Sequence, residues 1–238
     1  MPLEQTPDME EAQRSRRGYD RLSRPYRWLE TIVFGGQLQR ARTQLLGQLS
    51  RPARALVLGD GDGRLLVEFA RQYRETSILS IDQSCRMIRA QRRRMANVPD
   101  HNVTWVQADV RTLQLATRRF DVLIMPFFLD CFTEPELHES LPRWLGWATP
   151  TGSVLVIDFV VPPRGIAKWI GKAMLGVMHG FFRWQTGLPN RVLVDADAIL
   201  RSLGWSVATS HTRYIGMIRS ALYRPASVAC SEPRSSPS

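Results

Sequence analysis

The 238-residue sequence predicts an α/β fold: a doubly wound, mostly parallel seven-stranded sheet with N-terminal helices and a helical insertion before the sixth strand. Three observations carry that prediction. Short runs rich in Val, Ile and Leu alternate with segments of helical periodicity, the pattern of parallel strands joined by crossover helices. The first run, residues 55–58, breaks directly into glycines at 59, 61 and 63, and an apolar helical segment follows. Acids stand just past the next two runs, at Asp82 and Asp109.

The elements follow in order. Residues 1–15 are polar and acidic and predict a disordered tail. Residues 16–49 have helical character and precede the first strand. Strands are predicted at 55–58, 77–81, 103–107, 120–125, 153–160, 205–210 and 218–224, each an apolar run bounded by turn formers. Helices are predicted between them at 65–73, 84–96, 134–148 and 195–203, with Ser84 and Asp195 as N-caps. The last two strands have no helix between them, which predicts an antiparallel hairpin. Residues 160–193 interrupt the alternation as an insertion. Residues 225–238, ending in a Ser- and Pro-rich stretch, predict a second disordered tail. Residues 16–224 therefore read as one domain.

Composition narrows the class. A hydrophobic fraction of 44% with 23% charged residues is that of a folded, water-soluble chain. Mean hydropathy is −0.21, and no apolar run approaches the roughly 20 residues of a membrane span. The acidic N-terminus has no signal-peptide pattern. With three unpaired-looking cysteines, Cys85, Cys131 and Cys230, this implies a cytoplasmic protein with free thiols. The net charge of +10 is compatible with nucleic acid, an anionic membrane surface or acidic substrates, and selects none of them. His101, His138, His179 and His211 have no ligand spacing with one another or with cysteine, so no metal is expected.

The chemistry concentrates at the ends of the first three strands. Gly59, Gly61 and Gly63 permit positive φ and close approach of a ligand to the backbone. The helix that follows offers unpaired N–H groups at its positive end. Asp82 lies 23 residues beyond Gly59, where an acid can accept hydrogen bonds from ribose hydroxyls. Asp109 is placed to accept one from an exocyclic adenine amine. The ordinary alternative for each Asp is a cap or turn residue. Their recurrence at the ends of successive strands argues against coincidence.

This constellation resembles the class I S-adenosylmethionine-dependent methyltransferases. That family often reads G-x-G-x-G, then D-x-S-x-x-M, then an Ala-Asp pair after the third strand. Here the matching residues are Gly59, Gly61 and Gly63, then Asp82, Ser84 and Met87, then Ala108 and Asp109. Phe120-Asp121-Val122-Leu123-Ile124 is similar to the family's fourth strand, and residues 141–156 to its following helix, turn and fifth strand. Tyr19-Asp20-Arg21-Leu22 with Tyr26 resembles the opening helix of its small-molecule branch, which includes quinone-biosynthesis-like and phospholipid methyltransferases. The resemblance implies a Rossmann-like sheet, S-adenosyl-L-methionine as cofactor and a small-molecule acceptor. It implies cofactor contacts at Gly59, Asp60, Gly61, Gly63, Asp82, Gln83, Met87, Asp109 and Val110. Val57 stands where the family often has an acid near the methionine end, and Asp60 and Asp62 are candidates to replace it. A nicotinamide dehydrogenase would prefer G-x-G-x-x-G, but Arg64 occupies the place of its third glycine.

On the acceptor side, the resemblance places Met125-Pro126-Phe127-Phe128-Leu129-Asp130 beside the transferred methyl. Phe127 and Phe128 fit either pocket walls or core. Asp130 fits either a general base or a helix start. The Asn/Asp-Pro-Pro-aromatic motif of nucleic-acid amino-methyltransferases is not present there, so nucleic acid is not the expected substrate. In the insertion, Ile166, Trp169, Ile170, Ala173, Met174, Val177, Met178 and Phe181 recur at helical spacing, with Arg164, Lys168 and Lys172 on a basic margin. The segment reads as a cover for an apolar or lipid-like acceptor lined by Trp169, His179 and Phe182, as a helix on an anionic membrane surface, or as packing on the sheet. The first two readings leave room for peripheral contact with the inner membrane. No feature demands a protein partner. The run Arg86, Arg89, Arg92, Arg93, Arg94 reads as the solvated face of a helix. A nucleic-acid methyltransferase and a non-catalytic cofactor-binding protein are the competing functions.

Overall fold

The structure is a computed structural model that describes residues 36–160 and 194–229. Seven strands form one sheet in the order β3-β2-β1-β4-β5-β7-β6. In chain order the elements are α1 (Gln37–Thr43), β1 (Arg54–Leu58), α2 (Arg64–Gln72), β2 (Ser77–Asp82), α3 (Cys85–Met95), β3 (Asn102–Gln107), β4 (Phe120–Pro126), α4 (Glu134–Leu145), β5 (Ala148–Phe159), α5 (Ala196–Ser202), β6 (Trp205–Arg213), β7 (Ile218–Pro225) and α6 (Ala226–Ala229). Strands β1 to β5 pair in parallel. The terminal hairpin is antiparallel, and β7 also runs antiparallel to β5.

Strand alternation sorts the core into two layers. From β1, Ala55 and Val57 face one side with Leu38 and Ala41 of α1, Leu65, Leu66 and Phe69 of α2, and Met95 of α3. Leu56 and Leu58 face the other with Leu137, Leu141 and Trp144 of α4 and Leu200 of α5. Both faces of the sheet are therefore covered by helices, as the near-continuous apolar runs of the parallel strands require. At the edge opposite the site, the Asp121 carboxylate accepts the N–H groups of Ala53 and Arg54 at 2.9 Å each and pins the start of β1 beside β4.

Local signals explain the helix starts. Ser84 caps α3 by accepting the Met87 N–H at 3.3 Å, and Asp195 caps α5 by accepting the Ala198 N–H at 3.1 Å. Thr133 opens α4 with a capping box, its N–H donating to Glu136 at 2.8 Å.

Several boundaries differ from the sequence reading, and β6, expected over 205–210, runs on to Arg213. The helix expected over 134–148 ends at Leu145. The Pro150-Thr151-Gly152 turn lies inside β5 instead, because Ala148 already pairs with Phe120 and a register shift before Ser153 absorbs the irregular residues. The tail expected from residue 225 is also corrected: Pro225 still pairs with Trp205, and Ala226–Ala229 add one helical turn whose first N–H reaches the Gly204 carbonyl at 2.8 Å. Among the described residues, no helix is long and apolar enough to cross a membrane.

Candidate functional site

The parallel register lines up the predicted residues along one edge. Leu58 pairs with Ile81 and Asp82 pairs with Gln107. Gly59, Asp82 and the Ala108–Asp109 pair therefore emerge from adjacent strands, about 5 Å apart per step. Two backbone bonds close this edge: Gly59 N–H to the Ile81 carbonyl at 2.9 Å, and Ala108 N–H to the Asp82 carbonyl at 3.1 Å.

The glycine turn needs its glycines. Gly59, Gly61 and Gly63 have φ of 67°, 58° and 84°, the left-handed region. A Cβ on Gly59 would meet Phe128 Cδ2 at 2.4 Å, and one on Gly63 would meet Gln91 Cγ at 3.0 Å. A Cβ on Gly61 would meet no atom within 4 Å. Gly59 and Gly63 thus serve packing, while Gly61 faces open space.

Helix α3 braces this turn from below. Gln91 is fully buried; its amide donates to the Gly61 carbonyl at 3.0 Å and its Oε1 accepts the Ser80 hydroxyl at 2.7 Å. Arg94 donates to the Asp62 carbonyl at 3.0 Å and to its carboxylate at 2.6 Å. Arg94 therefore does not belong to the solvated arginine face expected of α3; Arg89 and Arg93 are exposed, and Arg92 lies 5.5 Å from the Trp105 ring centroid.

The Asp60 side chain, expected at the cofactor, is buried in the protein. Its carboxylate points into the protein and accepts the Leu65 and Leu66 N–H groups at 3.3 and 2.7 Å, capping α2. Burial pushes it up to about 7, against the pull of the Leu66 N–H and the Arg42 guanidinium. Asp62 is committed to Arg94 and Arg64. Val57 is buried in the sheet.

Asp82 is half-buried at the end of β2 and accepts the Ser84 N–H at 2.9 Å, which turns the chain into α3. The Gln83 carbonyl accepts from the Gln107 side chain at 3.2 Å, and the Met87 N–H is held by Ser84. Asp109 takes the Arg111 N–H at 2.9 Å and the Arg111 guanidinium at 2.8 Å, and Arg111 also reaches Glu136 at 3.4 Å. Val110 is buried, and its carbonyl accepts the Trp144 indole N–H at 3.2 Å.

In the segment after β4, Phe128 packs against the core. Its ring lies on Gly59 and joins Phe132 and Trp144, with centroids 5.0 and 5.5 Å away. Phe127, at φ 52°, turns to the opposite layer, 5.0 Å from Phe159, with the Arg42 guanidinium 4.8 Å over its ring. Asp130 lies in a short 3-10 helix, Leu129–Cys131, where its N–H donates to Asp158 Oδ2 at 3.1 Å. Asp158 ends the apolar run of β5. The signal that singled out Asp82, an acid closing an apolar strand, was present there too. Arg42 and Arg111 carried no comparable pattern, because their partners are distant in sequence or depend on loop shape. Trp169, His179 and Phe182 lie outside the described residues. Among the described residues, no group of three or more His, Cys, Asp or Glu is placed to hold a metal.

Comparisons with known proteins agree with this geometry. The family model described as a methyltransferase domain matches residues 55–152. An uncharacterized methyltransferase of Mycobacterium bovis is 27% identical over 139 residues, 56% of this chain and 66% of the relative, just under two thirds of its length. A relative of the same description from Mycobacterium tuberculosis matches equally. Among solved structures, the Burkholderia thailandensis 1,6-didemethyltoxoflavin-N1-methyltransferase, with bound 1,6-didemethyltoxoflavin and S-adenosylhomocysteine, has a TM-score of 0.62 at 18% identity, over 94% of this chain and 92% of that one. The mitomycin 7-O-methyltransferase has a TM-score of 0.65 at 17% identity, over 93% of this chain and 69% of that one. At these identities the likeness is one of fold.

Proposed function

We propose that this chain, a class I S-adenosylmethionine-dependent methyltransferase, passes the methyl group to a small, apolar or lipid-like acceptor at the C-terminal edge of its sheet. The observation that carries the reading is the alignment of the glycine turn, Asp82 and Asp109 on three adjacent strands. In this reading Asp82 accepts the two ribose hydroxyls. Gly61 leaves room for the cofactor's central part. Gln83, Met87 and Val110 flank the adenosine, and Asp109 meets the adenine amine once Arg111 yields part of its carboxylate.

S-adenosylmethionine supplies an activated methyl on a sulfonium, and the protein's part is to position the nucleophile in line with it and to keep water out. Phe128 fits the role of wall between the glycine turn and the acceptor, and Asp130 that of base. The aromatic and Met-rich pattern of residues 160–193 supports a cover with Trp169, His179 and Phe182 toward the acceptor. The 1,6-didemethyltoxoflavin bound by one neighbour and the mitomycin named for the other support a small-molecule acceptor. Peripheral membrane contact through Arg164, Lys168 and Lys172 is an extension of this reading, tested by co-sedimentation with neutral and anionic vesicles.

S-adenosylhomocysteine release, measured with a panel of hydroxylated aromatic and isoprenoid compounds, tests the proposal. Release with at least one of them, lost in Trp169→Ala or Phe182→Ala while cofactor affinity and melting temperature hold, is expected. Release that is the same with and without every acceptor contradicts it.

A further inference from the structure

At the end of β3, one arginine takes up the acid that stands at the adenine end of the proposed site. A carboxylate offers about four lone-pair positions. Arg111 presents four contacts to Asp109: its backbone N–H and Nε–H reach Oδ1 at 2.9 and 3.0 Å, Nη2 reaches Oδ2 at 2.8 Å, and Nε lies 3.2 Å from Oδ2. The guanidinium contacts form the two-pronged fork that makes arginine–carboxylate pairs directional. An amine donating to the same carboxylate needs one of those positions and meets Arg111 as a competitor.

Glu136 gives the arginine a second seat. Its Oε2 holds the Thr133 N–H and hydroxyl, both at 2.8 Å, in the capping box of α4. Its Oε1 lies 3.4 Å from Arg111 Nη1, long for a hydrogen bond and close enough to shorten. The side chains of Arg111 and Glu136 are 39% and 32% exposed, against 16% for Asp109, so the guanidinium has room to turn beside a carboxylate that is itself enclosed. The backbone beneath has no such freedom. The Val110 carbonyl accepts the Trp144 indole N–H at 3.2 Å and Arg143 Nη2 at 3.4 Å, and the Arg111 carbonyl also accepts Arg143. The Thr112 and Leu113 N–H groups close on the Asp109 carbonyl at 3.2 and 3.1 Å. Helix α4 therefore clamps the loop that carries Asp109 and Arg111, and the same helix carries Glu136. Movement here falls on the guanidinium.

We propose that Arg111 gates the adenine subsite: it competes with the adenine amine for the Asp109 carboxylate, and Glu136 receives the guanidinium when the amine takes its place. The gate rests on the reading of Asp109 as the adenine contact, and adds to it a residue that sets how strongly the amine is selected. Arg111 and Glu136 then act in opposite directions. Without the arginine, the amine takes the carboxylate uncontested. Without the Glu136 charge, the displaced guanidinium has a poorer seat and yields less readily. A purine with oxygen in place of the amine gains nothing from either change.

Calorimetric titration of the full chain tests this in wild type, Arg111→Met and Glu136→Gln. The ligands are S-adenosylhomocysteine and S-inosylhomocysteine, in which an oxygen replaces the adenine amine. Glutamine keeps an acceptor for the Thr133 N–H, so the capping box of α4 survives. S-adenosylhomocysteine should bind Arg111→Met roughly three- to tenfold more tightly than wild type, and Glu136→Gln more weakly. Its preference over S-inosylhomocysteine should rise in the first variant and fall in the second. An ion pair with only a structural role would weaken binding in both variants and leave the preference unmoved. S-adenosylhomocysteine affinity in Arg111→Met at or below that of wild type overturns the proposal. So does wild-type affinity and preference in Glu136→Gln, a result that needs only that variant to fold. Equal affinity for the two ligands in wild type and in Arg111→Met alike refutes instead the adenine contact on which the gate rests.

Discussion

Alanine at Gly59 and alanine at Gly61 should have opposite consequences, although the two glycines are two residues apart and both left-handed. At Gly59 the new methyl would lie 2.4 Å from Phe128 Cδ2 and 3.1 Å from its Cε2. The ring has little room to retreat, because Phe132 and Trp144 pack on it at 5.0 and 5.5 Å. Overpacking of this kind costs about 1–3 kcal/mol, and the left-handed backbone adds about 1–2 for a residue with a Cβ. Gly59→Ala should therefore lose roughly 2–5 kcal/mol of stability. At Gly61 only the backbone cost applies, since the methyl enters open space. Gly61→Ala should remain folded with a loss of about 1–2 kcal/mol and bind S-adenosylmethionine roughly tenfold more weakly, because that space is the cofactor's in the proposed site. Urea unfolding measures the first quantity and titration calorimetry the second. A Gly61→Ala protein with wild-type cofactor affinity, or a Gly59→Ala protein no less stable than Gly61→Ala, refutes the reasoning.

Gln91→Ala leaves the buried Ser80 hydroxyl and the Gly61 carbonyl without their partner and opens a void under the turn. A loss of about 2–4 kcal/mol in urea unfolding is expected, together with weaker cofactor binding. Asp60 sets a pH dependence: its folded-state value of about 7 lies above the ordinary 3.8. The folded protein keeps this proton after the unfolded chain has released its own. Its contribution is therefore full below about pH 4 and falls as pH rises toward 7. Relative to Asp60→Asn, wild type should lose about 2–3 kcal/mol between pH 5 and pH 8; a difference that is constant with pH would contradict the burial of that carboxyl.

The strands and the alignment of the glycine turn with Asp82 and Asp109 were legible because they rest on short-range signals. The apolar runs that became β1 and β2, the capping hydroxyl of Ser84 and the acid at Asp195 each act within a few residues, and their elements formed within a residue or two of the expected bounds. The β5 start was misplaced because a long-range pairing, Ala148 with Phe120, overrides the turn preference of Pro150 and Gly152. The direction of the Asp60 side chain was hidden for a related reason. A turn acid and a ligand-facing acid look alike in sequence, and only the direction of the turn decides that this one caps α2. Arg94 and Gln91 lie 32 and 30 residues from the turn atoms they brace at Asp62 and Gly61, a separation at which charge and helical periodicity carry no information about partners. Asp130 was legible as a candidate base, whereas its partnership with Asp158 depends on β4 and β5 ending side by side.

The central claim, that this edge of the sheet holds S-adenosylmethionine with Asp82 on the ribose, is tested most directly by titrating the cofactor into wild type and Asp82→Asn. Asparagine can still accept the Ser84 N–H that the carboxylate now accepts at 2.9 Å, so the turn into α3 persists and only the charge is lost. Loss of charge-assisted bonds to the ribose should cost on the order of 1.5–3 kcal/mol, a weakening of roughly ten- to a hundredfold with an unchanged melting temperature. Equal affinity in the two folded proteins would take Asp82, and with it the proposed orientation of the cofactor, out of the site.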